Sequence, residues 1–225
     1  MAGGPFEDAL EAGIALEQAL DWEGALRRYD ALLAGLREED SKDAAWHARA
    51  AEAGMRLANA LMVLRRMDDA RAALDDALHA AKACGDALVL AKALIAAGVF
   101  AGSSGDFARA ETFLLEAMDR YSRIDSDDAR QGAGWALLNL GGVYGKTGRL
   151  DLAFVTLEKT RERLFGIRNW VGVAAAWEMQ AQLRRAIGDE DRWREDLAEA
   201  VVFYERQGMA EKADALRGML KGKAV

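Results

Sequence analysis

Five times along this 225-residue chain the same short pattern of small and large side chains returns. Its anchor is Ala25, Ala70, Ala110, Ala153 and, in a degenerate fifth copy, Trp193, at steps of 45, 40, 43 and 40 residues. Four residues after each anchor comes a bulky Tyr29, Leu74, Leu114, Leu157 or Leu197. Three further on stand Leu32, Ala77, Ala117, Thr160 and Ala200. Upstream runs a matching series of small residues: Gly13, Ala58, Gly98, Gly141 and Ala181. The apolar spacing within each copy is helical, and no strand-like alternation stands out. Small residues let two antiparallel helices approach closely, with Leu140, Tyr144 and Leu157 filling the space beside them in the fourth copy. A unit this short cannot bury its own apolar face, so the copies must stack on one another.

The fourth copy, LLNLGGVYGKTGRLDLA over residues 137–153, is the most regular. Its Leu140-Gly141 pair, Tyr144 three residues later and Ala153 in the second helix resemble the tetratricopeptide (TPR) helix–turn–helix. The period exceeds the roughly 34 residues usual for that repeat and approaches that of HEAT and armadillo repeats. The residue-by-residue match of this block, and the absence of any proline beyond Pro5, favour a long-period TPR-like family. The resemblance implies a right-handed α-solenoid of five TPR-like hairpins plus a C-terminal capping helix. The repeats are expected over about 6–38, 41–84, 86–123, 127–166 and 169–207, with the cap over 209–222 and residues 1–5 a loose lead-in. The whole, 1–225, is read as one domain.

Short polar residues and glycines punctuate this series. Asp21, Ser41, Asp68, Asp86, Ser126 and Asn169 stand where helices should start, as acceptors for free backbone N–H groups. Gly85, Gly105, Gly188 and Gly208 stand where helices should stop. A final helix covering the last apolar face is what a stacked array needs for solubility.

Composition narrows the function classes. Hydrophobic residues make up 52% and charged residues 30%, enough for a core under a solvated surface. A net charge of −7 argues against a general polyanion binder. Cys84 is the single cysteine, which fits a reducing compartment. The opening MAGGPFEDALEAG has neither the basic start nor the apolar run of a signal peptide, and no stretch is long enough to span a membrane. A cytoplasmic, bacterial-style location is expected, with no membrane association.

Several motifs suggest chemistry and then lack its other parts. Gly145-Lys146-Thr147 ends like a phosphate-binding loop, but Leu140 occupies the place of the leading glycine and no strand precedes it. Gly132-Ala133-Gly134 opens a dinucleotide fingerprint that fails at Leu137. Asp75 and His79 have metal-compatible spacing without a third ligand in sight, and His47 has no evident catalytic partner. The acidic runs Asp125–Asp128 and Asp189–Asp191 coincide with helix starts, where carboxylates cap. No enzyme, metal or cofactor is expected.

In proteins of the family that the chain resembles, the first helix of each repeat lines a concave groove that grips a peptide or partner segment. Carried over by helical phase, the residues expected to face that ligand are Met55, Arg56, Asn59, Lys92, Trp135, Asn139, Lys146, Gln182 and Arg185. Leu138 shares the phase, and Glu7, Leu10, Ile14 and Glu17 take it in the first repeat. Asn139 matches an asparagine with which such proteins hold a ligand's main-chain amide, donating and accepting at once. Over repeats two to five, Arg56, Lys92, Lys146 and Arg185 stand against Glu52 and Glu178. That excess of positive charge selects an acidic or C-terminal segment, since opposite charge steers association more than it adds affinity. Trp135, Met55 and Met62 are the apolar anchors, while Trp22, Trp46, Trp170, Trp177 and Trp193 are expected between helices. The leading expectation is a non-catalytic protein–protein interaction module with a protein or peptide partner. The alternatives are a nucleic-acid-associated regulator using the inner basic patch, which is not favoured, and a self-associating scaffold forming a homo-oligomer.

Overall fold

The structure, a computed structural model, describes residues 4–222. Residues 1–3 of the expected lead-in lie outside the described residues. All regular structure among the described residues is α-helical. The chain divides by packing into two compact units, Met1–Ser104 and Gly105–Val225. In the first unit, α1 (Pro5–Gln18) and α2 (Trp22–Arg37) form a hairpin, α3 (Ala44–Val63) and α4 (Met67–Ala83) form a second, and α5 (Ala87–Ser103) packs on α3 and α4. In the second unit, α6 (Phe107–Tyr121) packs on α7 (Asp127–Lys146), which pairs with α8 (Leu150–Gly166). There α9 (Trp170–Ala186) pairs with α10 (Glu190–Arg206), and α11 (Ala210–Leu220) packs against α10. The third copy of the sequence pattern contributes α5 to one unit and α6 to the other.

The anchors do the work that their sizes suggest. Ala25, Ala70, Ala110 and Ala153 are fully buried, and Trp193 in the fifth copy is buried too. Gly13 lies so close to the Tyr29 ring that an added Cβ would stand 2.5 Å from Cε1. At Gly141 the same atom would meet Leu157 Cδ2 at 2.7 Å. Each close approach brings the first helix of a hairpin onto the fully buried large residue of the second.

The uneven step follows from helix length. Steps of 45 and 43 contain α3 and α7, each of 20 residues, whereas steps of 40 contain α5 and α9, each of 17. Most starts are capped where expected. Asp21 accepts from Gly24 N at 2.9 Å, Asp86 from Leu88 N at 2.7 Å, Ser126 from Ala129 N at 3.1 Å and Asn169 from Gly172 N at 2.9 Å. Two differ. Asp43, not Ser41, caps α3 by accepting from Trp46 N at 2.8 Å. At α4 the N-cap is Arg66, and Asp68 falls in the first turn, where a carboxylate favours the positive end of the helix dipole.

Most helix stops use a left-handed residue. Gly85, Gly105, Gly148, Gly188 and Gly208 all have positive φ, and at three further stops the role falls to Leu20, Arg65 and Arg168 at φ 58 to 61°. A side chain there crowds the following carbonyl. Leu20 is 71% exposed, so its side chain contributes little packing in return. Leu20→Gly is expected to raise the stability of the first unit by about 0.5–1 kcal/mol, the relieved strain less the added freedom of the unfolded chain. A higher urea midpoint at unchanged m-value is the expected readout.

Candidate functional site

The nine residues expected to face a ligand fall four in the first unit and five in the second. In the first, Met55, Arg56 and Asn59 lie on α3 and Lys92 on α5. Met55 is half-buried against the cluster that contains Ala51 and Ala93. Asn59 and Lys92 are exposed. Arg56 is committed to its own neighbours, donating to Glu17 at 3.1 Å and Glu52 at 3.4 Å. Glu17 also accepts the Tyr29 hydroxyl at 2.7 Å. Burial and then this carboxylate push the Tyr29 phenol well above its ordinary range, so the hydroxyl stays a donor. Two cations therefore face two carboxylates, and the expected positive excess is absent from this unit. A charge count over repeats two to five omits Glu17, which reaches α3 from 39 residues away.

The second unit keeps that excess. Its first-helix series is α7, α9 and α11. Gly142 and Gly145 let α9 lie close on α7: a Cβ at Gly142 would stand 3.3 Å from Met179, and one at Gly145 would stand 2.4 Å from Leu183. Asn139 and Lys146 on α7 thus lie on a helix adjoining the one that carries Glu178, Gln182 and Arg185. Lys146, Gln182 and Arg185 are exposed and Asn139 is half-exposed. Among the described residues of this unit neither Lys146 nor Arg185 makes an ion pair. Asn139 spends one N–H on the Trp135 carbonyl at 2.8 Å, which fixes the amide on its own helix. Its carbonyl accepts no hydrogen bond from the described residues of the unit.

Two expected contacts with a ligand are used internally. Leu138 is only 6% exposed, clustered with Leu157 and Ala176, because α9 covers that side of α7. The Trp135 ring is half-buried in the same cluster, near Ala175 and Met179, so it contributes an edge rather than an open face. Helical phase relative to the hairpin partner identified the side of the helix but could not reveal the next first helix lying on it.

Beyond α9 the surface deepens into a cleft of about 300 Å³. Its polar rim is Glu178, Gln182 and Arg185, and its apolar lining includes Trp193, Leu197 and Leu216. The Arg185 guanidinium sits 5.1 Å from the Trp193 ring centroid, a cation–π contact that still leaves it exposed. Glu178 accepts the Tyr204 hydroxyl at 2.8 Å and pairs with Lys212 at 3.1 Å. Arg185 and Lys212 thus stand against one carboxylate at the cleft, with Lys146 exposed on the adjoining α7. The sequence suggests α11 only as a cap, so Lys212 is not among the residues expected to face a ligand. The signal was its place as a sixth first helix in the series.

The catalytic look-alikes resolve into structure. Lys146 ends α7, and Thr147 donates to the Val143 carbonyl at 2.9 Å, so the Gly-Lys-Thr segment is a helix C-terminus with carbonyls where a phosphate needs N–H groups. Asp125 and Asp127 both bind Arg130, and Asp189 caps α10 while pairing with Arg184. Among the described residues no three His, Cys, Asp or Glu side chains gather as metal ligands. No helix among them is long and apolar enough to cross a membrane.

No family model matches the chain, and no curated protein matches it either. Solved structures do. A Rap protein complexed with competence and sporulation factor superposes with a TM-score of 0.69 at 14% identity, over 98% of this chain and 64% of that one. The Rap conjugation gene regulator of plasmid pLS20, in complex with the Phr* peptide, gives 0.66 at 17% identity, over 96% of this chain and 63% of that one. A putative kinesin light chain of Podosopora anserina with nearly identical TPR-like repeats gives 0.62 at 12% identity, over 89% and 95%. The chain thus spans somewhat under two thirds of the length of the two Rap proteins.

Proposed function

We propose that this chain, whose fold is that of the TPR-like helical-repeat proteins, is a non-catalytic interaction module that holds an acidic or C-terminal peptide segment on the α7–α9–α11 face of its second unit. The observation that carries this reading is an apolar cleft rimmed by Gln182 and Arg185, with Lys212 paired to its Glu178 and with Asn139 and Lys146 on the adjoining α7. Amides suit a peptide main chain, which offers donors and acceptors alternately. The exposed Lys146 and Arg185, which have no ion-pair partner among the described residues of the unit, suit carboxylates, and the apolar lining gives a side chain somewhere to enter. Two of the similar solved structures contain, by their descriptions, a bound peptide or factor, which agrees with a peptide partner here.

An array of acidic peptides with free or amidated C-termini, read by fluorescence anisotropy, tests the proposal. Asn139→Ala with Lys146→Ala is expected to weaken the best binder at least tenfold, about 1.4 kcal/mol. Unchanged affinity would retire this face as the site. Salt dependence separates the nucleic-acid alternative: phosphate contacts give a steep log–log slope with an oligonucleotide, whereas a peptide held by one or two charges gives a shallow one.

A further inference from the structure

The first unit contains a cavity of about 360 Å³ between α2 and α4, with α3 as its floor. Leu33 and Leu36 of α2, Leu57 of α3 and Ala77 of α4 make it apolar. In the floor, Gly54 stands so close to α4 that an added Cβ would be 2.9 Å from the Ala77 Cβ, so the cavity bottom is narrow and formed of small groups.

Charge is graded along this cavity. In the repeat register, which superposes Ala25 on Ala70, Asp30 of α2 aligns within one residue of Asp76 of α4, and both line the cavity from opposite walls. Arg37 lies two turns further along α2, with Lys42 in the connector after it. The separation of the acidic and basic ends is about 10 Å at 1.5 Å rise per residue. None of these four side chains has an ion-pair partner within the described residues of the unit. At the basic end the Trp46 indole is fixed by donating to the Leu36 carbonyl at 2.6 Å, with Lys42 Nζ 5.4 Å from its ring. His47 lines the cavity there, and its Nδ1 is buried without a hydrogen-bond partner.

An apolar trough with uncompensated carboxylates at one end and cations at the other complements a dipolar ligand with an apolar middle. A helix of a partner protein, about 10 Å across with its side chains, is too wide for this volume and would leave both ends unmatched. An extended tripeptide spans about 10 Å at 3.3–3.6 Å per residue, and its ionised ends lie at its extremities. We propose that this cavity is a second recognition site, for a short unblocked peptide of about three residues with apolar side chains. Its ammonium group sits between Asp30 and Asp76 and its carboxylate between Arg37 and Lys42.

Calorimetric titration of the full chain with Ala-Leu-Ala, compared with its N-acetylated and C-amidated forms, tests this. The free tripeptide is expected to bind, and either block to weaken it at least tenfold. Asp30→Asn with Asp76→Asn should erase the penalty of acetylation and keep that of amidation. Arg37→Gln with Lys42→Gln should do the reverse. All four side chains are exposed, so these variants should melt as the wild type does. Ring resonances of His47 and His79 should shift on binding. Equal affinity for free and blocked forms, or neither heat nor histidine shifts up to millimolar peptide, would overturn the proposal. The site is independent of the face on the second unit: Asn139→Ala with Lys146→Ala should leave tripeptide binding unchanged.

Discussion

Asp196→Ala is expected to destabilise the second unit by about 3–5 kcal/mol, the cost of removing one member of a buried charge network. Asp196 on α10 is buried, and both its oxygens accept from Gln180 Nε2, at 3.1 and 3.0 Å. Gln180 in turn accepts from Arg161, whose guanidinium lies 3.8 Å from the Trp177 ring centroid. Arg184 approaches Asp196 at 3.8 Å, covers the Phe154 ring at 4.2 Å and pairs with Asp189 at 3.1 Å. Burial holds Arg161 below its usual range, and Asp196 is the leading charge that opposes this. Without Asp196, the Gln180 amide loses both acceptors and Arg161 remains a largely desolvated cation. Urea unfolding followed by circular dichroism reads the loss directly. A change under 1 kcal/mol would mean that water replaces the carboxylate and that the network is not closed.

Asp196→Asn should behave differently, because an amide can still accept from Gln180. Burial raises the Asp196 pKa first, while Gln180, Arg184 and Arg161 pull it back without restoring it. A folded-state pKa above the unfolded value means that the native state holds its proton longer. This carboxylate's contribution to stability is therefore greatest below the unfolded pKa and falls as pH rises through the raised folded pKa. Asn mimics the protonated form, so the variant should gain on the wild type across that window. A difference independent of pH would show that the carboxyl titrates as it does in the unfolded chain.

The second large effect concerns the close approach of α7 to α8. Leu157→Ala is expected to cost about 2–5 kcal/mol, since the side chain is fully buried and its removal leaves a void. Gly141→Ala alone should cost about 1–3 kcal/mol: its Cβ would stand 2.7 and 2.8 Å from Leu157 Cδ2 and Cγ, and Leu157 has nowhere to withdraw. The double variant reverses the sign of the glycine change. With Leu157 shortened, the new methyl enters the void and the helix gains about 1 kcal/mol of intrinsic propensity. A coupling of 1–3 kcal/mol in a double-mutant cycle is expected, within the range seen for residues in contact. Additive effects would place α7 and α8 further apart than the structure does.

The hairpin was legible because its signals are local. Gly141 four residues from Gly145, Ala153 followed by Leu157 and Thr160, and a carboxylate or amide after a helix stop all act within one or two turns. Their spacing in sequence is their spacing in space. Even the uneven repeat step could be read, since it reports helix length. The sites were less legible. Arg56 sits in a helical phase that suits a ligand, yet its charge is already matched by Glu17, 39 residues away. Trp135 and Leu138 take a helical phase that suits a ligand, but the next first helix lies there. Lys212 and the Asp30–Arg37 cavity needed helices from successive copies placed side by side.

The sequence alone thus determined that the chain is a series of paired helices, and where most of those helices begin. Only the tertiary structure decided which charges remain available and where a hollow opens. Helix formation and capping are settled by neighbours within four residues. Ion pairing and cavity shape are settled by side chains that meet only after the copies have stacked, and their sequence separation follows no fixed rule.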